Sequence, residues 1–244
     1  MMHAEMLQRH CRRGARILDA GCGPGRFTIV AAKMGARVTA LDLSPGQLEL
    51  AKQHVREAGV EAQVEDYLQG DVVDLSRFPA NTFDVVVCFG GPLSYARDLR
   101  RQAAAELVRV TKPGGAVVVS VMSRFGATLS GFHRSRWPDD FTAERVRNVL
   151  ADGDLSGVPS SRLPTHHPPM HLYTSKELAE LLPSCEVLEI AGSNVCAKEG
   201  QALEEPSKDP VRWEMVIDAE RRLSKAPGLL DSGTHIMMAA RKLR

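Results

Sequence analysis

The chain has 244 residues, 43% hydrophobic and 25% charged, which suits one domain with elaborations and a core large enough to need neither disulfides nor structural metals. Lys and Arg total 31 against 30 for Asp and Glu, a formal charge of +1, which speaks against a protein that lives on nucleic-acid phosphates. Its five cysteines form no CxxC pair, no apolar run approaches a membrane span and the N-terminus lacks a charged-then-apolar signal pattern, so a reduced, cytoplasmic protein without a membrane partner is expected.

In chain order, Met2 to Arg12 reads as a short helix and "RILDA" as a strand of buried type. "GRFTIVAAKMG" is a helix that Gly35 stops, and "RVTALDLS" a second strand ending at Asp42. "SPGQLELAKQHVREAG" is a helix with Ser44 as N-cap, Pro45 at its first position and Gly59 as its stop. "AQVEDYLQGD" is a third strand reaching Asp71, and "FDVVVCFGG" a fourth. "ARDLRRQAAAELVRVTKPGG" is a helix carrying Arg97, Arg100, Arg101 and Arg109, read as a solvated basic face, and "AVVVSVM" is a fifth strand. Near-continuous apolar strands alternating with helices predict a parallel sheet covered on both faces, and right-handed crossovers make it doubly wound.

After Met122 the rhythm breaks. Ser123 to Leu172 reads as irregular, with one helix near "DDFTAERVRNVLADG", and residues 123–172 are expected to form a lid-like insertion over the substrate. "TSKELAELL" is then a helix, "CEVLEIAG" a strand and "THIMMAARKL" the last strand. A second insertion, 193–233, contains the helical "DPVRWEMVIDAERRLSK", whose Met215, Val216, Ala219 and Leu223 read as core or as the contact of a homodimer. The expected organisation is a single domain over 1–244.

The chemistry centres on "ILDAGCGPGRFT". Its glycines, Gly21, Gly23 and Gly25, give G-x-G-x-G where a dinucleotide fingerprint reads G-x-G-x-x-G, and Arg26 stands where the third glycine would be. Asp19 beside this loop repels phosphate and welcomes a cation. Asp42, at the end of the second strand, can accept both hydroxyls of a ribose, and Asp71, after Gly70, can accept from an exocyclic adenine amine. A cationic amino-acid moiety, a ribose and an adenine together describe S-adenosylmethionine.

In "LDAGCGPG", "ALDLS", "QGD" before Val72, "FDVVVCFGG" and "KPGG" before a strand, the chain resembles the class I S-adenosylmethionine-dependent methyltransferases, over Arg16 to Met122. The resemblance implies a seven-stranded, mostly parallel sheet with an antiparallel last strand. It implies that Gly21, Cys22 and Gly23 form the loop at the methionine portion, with Asp19 supporting the ammonium directly or through water or organising the loop's amides. Asp42 would bind the ribose, Leu43 would pack on adenine, Asp71 would take its amine and the Val72 backbone a ring nitrogen, while Cys88 or Phe89 would offer a carbonyl to the ammonium. "FGGPLSY" lacks the Asn/Asp-Pro-Pro-aromatic signature of members acting on planar nitrogen, which argues against base or glutamine amine acceptors.

Transfer from a sulfonium is an in-line displacement, so the protein mainly aligns its reactants; a hydroxyl or amine acceptor also needs a base. The candidates are His133, His166, His167 and His171, with Tyr173 and Trp137 as wall and Arg134 and Arg136 as carboxylate or phosphate readers or solvated charges. "HHPPMH" lacks a helical pair and an interleaved carboxylate, and no metal is expected. The reading is methyl transfer to oxygen or nitrogen, ahead of carbon, of a small molecule. The alternatives are a methyltransferase acting on protein or RNA, an NAD(P)-dependent oxidoreductase, and a non-catalytic binder of S-adenosylmethionine.

Overall fold

The computed structural model describes residues 1–132, 142–155, 168–196 and 208–244. They fall into two compact units: Met1–Ser120 with Ala179–Glu189 and Met238–Arg244, and Val121–Leu178 with Ile190–Met237. A seven-stranded sheet has the order β3-β2-β1-β4-β5-β9-β8 and is mostly parallel, with the last strand antiparallel. Its strands are β1 (Arg16–Ala20), β2 (Arg37–Asp42), β3 (Val64–Gln69), β4 (Phe83–Cys88), β5 (Thr111–Met122), β8 (Cys185–Ser193) and β9 (His235–Lys242).

In the first unit, parallel pairing sets Ala20 beside Leu41 and Asp42 beside Gln69, so the carboxyl ends of β1, β2 and β3 share one edge. β1 also pairs with β4, and the winding reverses between them, the place where open α/β sheets bind ligands. Ile17, Leu18, Val38, Ala40, Leu41, Val86 and Val87 are buried, which is why these strands read as unbroken apolar runs. β3 lies at the sheet's edge, and its polar "VEDYLQ" suits a strand that must not recruit another.

Helix boundaries follow local chemistry. α1 spans Met2–His10 and α2 spans Arg26–Lys33, the latter entered through Gly25 in left-handed backbone at φ 85°. α3 (Pro45–Glu57) begins at Ser44, whose hydroxyl accepts the Gln47 N–H at 3.4 Å. A short α4 (Pro92–Tyr95) follows β4, and α5 spans Arg100–Val110. Two parts of the basic-face expectation change here. Arg97 lies outside α5, and Arg109 turns inward: it pairs with Glu106 at 2.6 Å and donates to the carbonyls of Leu75 and Phe78 at 2.8 and 2.9 Å. Satisfying those two loop carbonyls outranks solvation of the guanidinium.

The second unit is more regular than its sequence suggests. α6 (Arg124–Phe132) occupies a stretch expected to be irregular, and β6 (Asp154–Leu155) pairs antiparallel with β7 (Met170–His171). α7 spans Ala143–Asp152, α8 spans Ser175–Leu181 and α9 spans Pro210–Leu223. Val149, Leu155, Met170 and Leu172 form a buried cluster with Met122 and Ala127 against it. Arg124 is buried; it pairs with Glu177 and donates to the carbonyls of Asp152 and Leu172. On α9 the expected apolar stripe is not the buried one. Ile217 and Glu220 are buried, whereas Met215 is 66% exposed and Leu223 is exposed too. Glu220 faces inward because its carboxylate accepts the backbone N–H groups of Val195 and Cys196 at 3.0 and 2.9 Å.

Among the described residues, no helix is long and apolar enough to cross a membrane.

Candidate functional site

The loop between β1 and α2 is held from β2. The N–H groups of Gly21 and Cys22 both donate to the Leu41 carbonyl, at 2.7 and 3.0 Å. The next free N–H, that of Gly23, donates to Asp42 Oδ2 at 2.8 Å, and Asp42 Oδ1 accepts the N–H of Ser44 at 2.9 Å. One carboxylate therefore ties the glycine loop to the start of α3. Each oxygen keeps acceptor capacity beyond these two bonds.

The three glycines do different work. A side chain at Gly21 would run into the Pro92 ring, so the space beside Gly21 belongs to the turn after β4. At Gly25 it would meet the backbone of Ala51 at 3.1 Å, so Gly25 lets the loop lie against α3. Gly23, at φ 52°, has nothing within 4 Å except Gln47 Oε1 at 4.0 Å. Gly23 is thus the position where the loop leaves room for something else.

Asp19 is 2% exposed, and its Oδ2 accepts the Thr28 hydroxyl of α2 at 2.7 Å. Burial pushes its carboxyl up to about 6, against the Thr28 hydrogen bonds, which act to lower it; the Asp42 charge adds to the rise. In this arrangement Asp19 braces strand to helix, a role the sequence reading does not include. Leu43, next to Asp42, is 63% exposed despite being apolar. Asp71 Oδ1 accepts the N–H of Val73 at 3.1 Å, and Val72 between them is buried.

Cys88 and Phe89 close β4. Both are buried, and burial pushes the thiols of Cys88 and Cys22 far up, so neither is a nucleophile. Phe89 lies edge-on to Phe27, ring centroids 4.7 Å apart, and the His3 ring of α1 stands edge-on to Phe89 at 4.9 Å. Sequence reading missed His3, Thr28 and Gln47. Nothing in their spacing marks them, because only the fold brings them to this loop and strand end.

The structure therefore gathers Asp19, Gly21, Cys22, Gly23, Asp42, Leu43, Asp71, Val72, Cys88 and Phe89 along one edge of four adjacent strands. Of the expected bases, His133, His166 and His167 lie outside the described residues, as do Arg134, Arg136 and Trp137. His171 is buried on β7, its Nδ1 3.4 Å from Asp154 Oδ1 and its ring edge-on to Tyr173 at 4.6 Å.

A family model described as a methyltransferase domain matches residues 17–115, the stretch that builds this edge. Over this stretch the chain resembles the class I S-adenosylmethionine-dependent methyltransferases. The ubiquinone biosynthesis O-methyltransferase of Xanthomonas axonopodis pv. citri (strain 306) is 38% identical over 119 residues, 48% of this chain and 47% of its own. The malonyl-[acyl-carrier protein] O-methyltransferase of Serratia marcescens is 40% identical over 111 residues, 45% of this chain and 39% of its own. The chain thus spans less than half the length of these relatives. The fold likeness extends further: an S-adenosylmethionine-dependent methyltransferase of Methanosarcina mazei superposes with a TM-score of 0.65 over 98% of this chain and 97% of its own, at 17% identity.

Proposed function

We propose that this chain binds S-adenosylmethionine along the β1–β2–β3 edge and transfers its methyl group to an oxygen or nitrogen of a small molecule. The observation that carries the reading is the Asp42 carboxylate, tied to the N–H of Gly23, which is itself the one open glycine of the loop. Asp19 and Asp71 stand at the two neighbouring strand ends. Three acidic residues suit a hydroxyl-rich, cationic ligand and repel a pyrophosphate.

When bound, S-adenosylmethionine supplies a methyl group already activated on a sulfonium. Asp42 accepts the ribose hydroxyls with its remaining lone pairs, and the exposed Leu43 offers adenine an apolar face. Asp71 accepts the adenine amine, the Val72 N–H serves a ring nitrogen, and the Cys88 or Phe89 carbonyl accepts the ammonium. Asp19 acts through Thr28, keeping the loop's amides in place. The chain's contribution to rate is alignment of donor and acceptor. A base that takes the acceptor's proton comes from His133, His166, His167 or His171; the last has, in Asp154, the orienting carboxylate that a general base needs.

The similarity to two O-methyltransferases favours an oxygen acceptor. Calorimetric titration with S-adenosylmethionine and with a nicotinamide dinucleotide tests the site, and heat from the dinucleotide alone would overturn it. Incubation with methyl-labelled cofactor and fractionated cell extract then tests transfer: label in a small-molecule fraction is the expected result.

A further inference from the structure

The parallel strands have a second edge, which the cofactor reading leaves unused. Ala15 precedes β1, Asp84 lies near the start of β4 and Lys112 near the start of β5, so all three stand at the amino-terminal edge. β5 leaves register with β4 there: Phe83 pairs with Thr111 and Val85 with Ala116, so residues 112–115 bulge out opposite Asp84. This bulge is the "KPGG" of the sequence. It walls a cavity of about 400 Å³, a size within the roughly 300–1,000 Å³ of small-molecule sites. Charge sets the cavity apart. Arg9, Arg12, Lys112 and Arg241 line it, and among the described residues Asp84 is its one lining carboxylate. The carboxylates at hand are already engaged: Asp84 accepts the Arg16 N–H and the Lys112 ammonium, both at 2.9 Å, and Glu189 accepts Arg9 twice at 2.9 Å. Arg12 and Arg241 reach Asp84 and Glu186 only at 3.8 and 3.5 Å, long for a hydrogen bond, and their side chains are 82% and 52% exposed. Two guanidinium groups with donors to spare thus line one concavity, in a chain whose formal charge is only +1.

We infer that this cavity is a second ligand site, which takes a small molecule carrying two or more phosphate or carboxylate groups, held by Arg12 and Arg241 with Arg9 and Lys112 adding charge. Planar guanidinium forks match either group with paired N–H donors. Like charges gathered around one concavity repel each other, and a multivalent anion relieves that repulsion. The carboxyl-terminal edge, with Asp19, Asp42 and Asp71 at its strand ends, has the opposite character. β1 and β4, five and six residues long, set the two edges about 17–20 Å apart at the usual strand rise. A ligand at the amino-terminal edge therefore neither overlaps the cofactor nor needs it, and the inference stands apart from the cofactor reading.

The test titrates the whole chain with inorganic pyrophosphate and, separately, with citrate, at an ionic strength held constant with sodium chloride. Calorimetry and thermal unfolding are the readouts. Saturable binding is expected, with a melting point that climbs as ligand is added. Tighter binding of pyrophosphate assigns the site to phosphate groups, and tighter binding of citrate assigns it to carboxylates. Arg12→Gln combined with Arg241→Gln should weaken binding about tenfold or more, the worth of at least one hydrogen bond to a charged group. Arg56→Gln combined with Arg222→Gln removes two exposed guanidinium groups outside the cavity and makes the same change in net charge; it should bind like the wild type. Both double variants should melt with the wild type when no ligand is present, because exposed ion pairs contribute little. Absence of saturation with either anion, wild-type affinity in the first double variant, equal losses in the two, or displacement of the anion by S-adenosylhomocysteine would each overturn the inference.

Discussion

Asp42 and Gly23, 19 residues apart in sequence, are joined by a 2.8 Å hydrogen bond from the glycine N–H to the carboxylate. The same carboxylate holds Ser44, so loop, strand end and helix start meet at one charged group. A ligand that arrives there finds a carboxylate already oriented by two backbone amides.

Asp42→Ala removes the acceptor for ligand and for both amides. The expected loss of affinity for S-adenosylhomocysteine is tenfold to a hundredfold or so, the range for hydrogen bonds to a charged group. Unfolding should also become easier by about 1–2 kcal/mol, because two N–H groups lose their partner. Asp42→Asn, which keeps an acceptor oxygen, should recover stability better than affinity. Calorimetry beside urea unfolding separates the two, and unchanged affinity in the alanine variant refutes the ribose role.

The glycines should respond differently to alanine. Gly21→Ala drives a methyl group into the Pro92 ring at φ 80° and should destabilise by about 2 kcal/mol or more through overpacking and strain. Gly23→Ala meets no such obstacle and should cost about 1 kcal/mol from its positive φ alone. Its effect on ligand affinity should nevertheless be the larger of the two relative to its effect on stability. Equal stability losses in chemical denaturation would contradict the assignment of the space beside Gly21 to Pro92.

Asp19 gives a pH signature. Its carboxyl titrates near 6 in the folded chain because burial disfavours its charge, against an ordinary value of 3.8. The folded state therefore holds this proton more tightly than the unfolded state does. The group's cost is absent below about pH 4, grows as pH rises through 4 to 6, and is complete above, where it is on the order of 3 kcal/mol. Asp19→Asn retains an acceptor for Thr28 without the charge. Its stability relative to wild type should rise with pH across that window in urea titrations, and a difference independent of pH would show that Asp19 titrates normally.

In the second unit, Arg124→Met leaves Glu177 without its cation and two carbonyls without a donor. Arg124 is buried but Glu177 is 35% exposed, so solvent offsets part of the loss and the variant should be destabilised by about 1–3 kcal/mol. Glu177 is itself held below the ordinary carboxylate range: burial opposes its charge, but the Thr174 N–H and hydroxyl and then Arg124 outweigh it. Its contribution is therefore lost as pH falls below that range. Arg124→Met combined with Glu177→Gln should recover part of the loss, and chemical denaturation of the single and double variants measures it.

The first half of the chain was legible because its signals are local. β1 was read as "RILDA" and lies at Arg16–Ala20, and Ser44 and Pro45 open α3 as expected. α6 was not legible, because Gly126, Ser130 and Gly131 are poor helix formers. The fold explains one of them: a side chain at Gly126 would run into the Gly233 carbonyl, so close backbone approach outranks propensity there. α9 misled for a related reason. Glu220 looks like a surface residue in sequence and is buried because two loop amides need its carboxylate. At the site the acidic residues at strand ends were readable from position alone. Gln47 was not, since a glutamine in a first helical turn is indistinguishable from any solvated one until its surroundings are known.

The contact between Gly21 and the Pro92 ring links the turn after β1 to the turn after β4, two segments that sequence comparison would treat as separate motifs. Neither can drift freely in evolution. A homologue that carries a bulkier residue at the first position should have given up the pyrrolidine at the second, and anyone grafting one turn into a new scaffold must carry the other along with it.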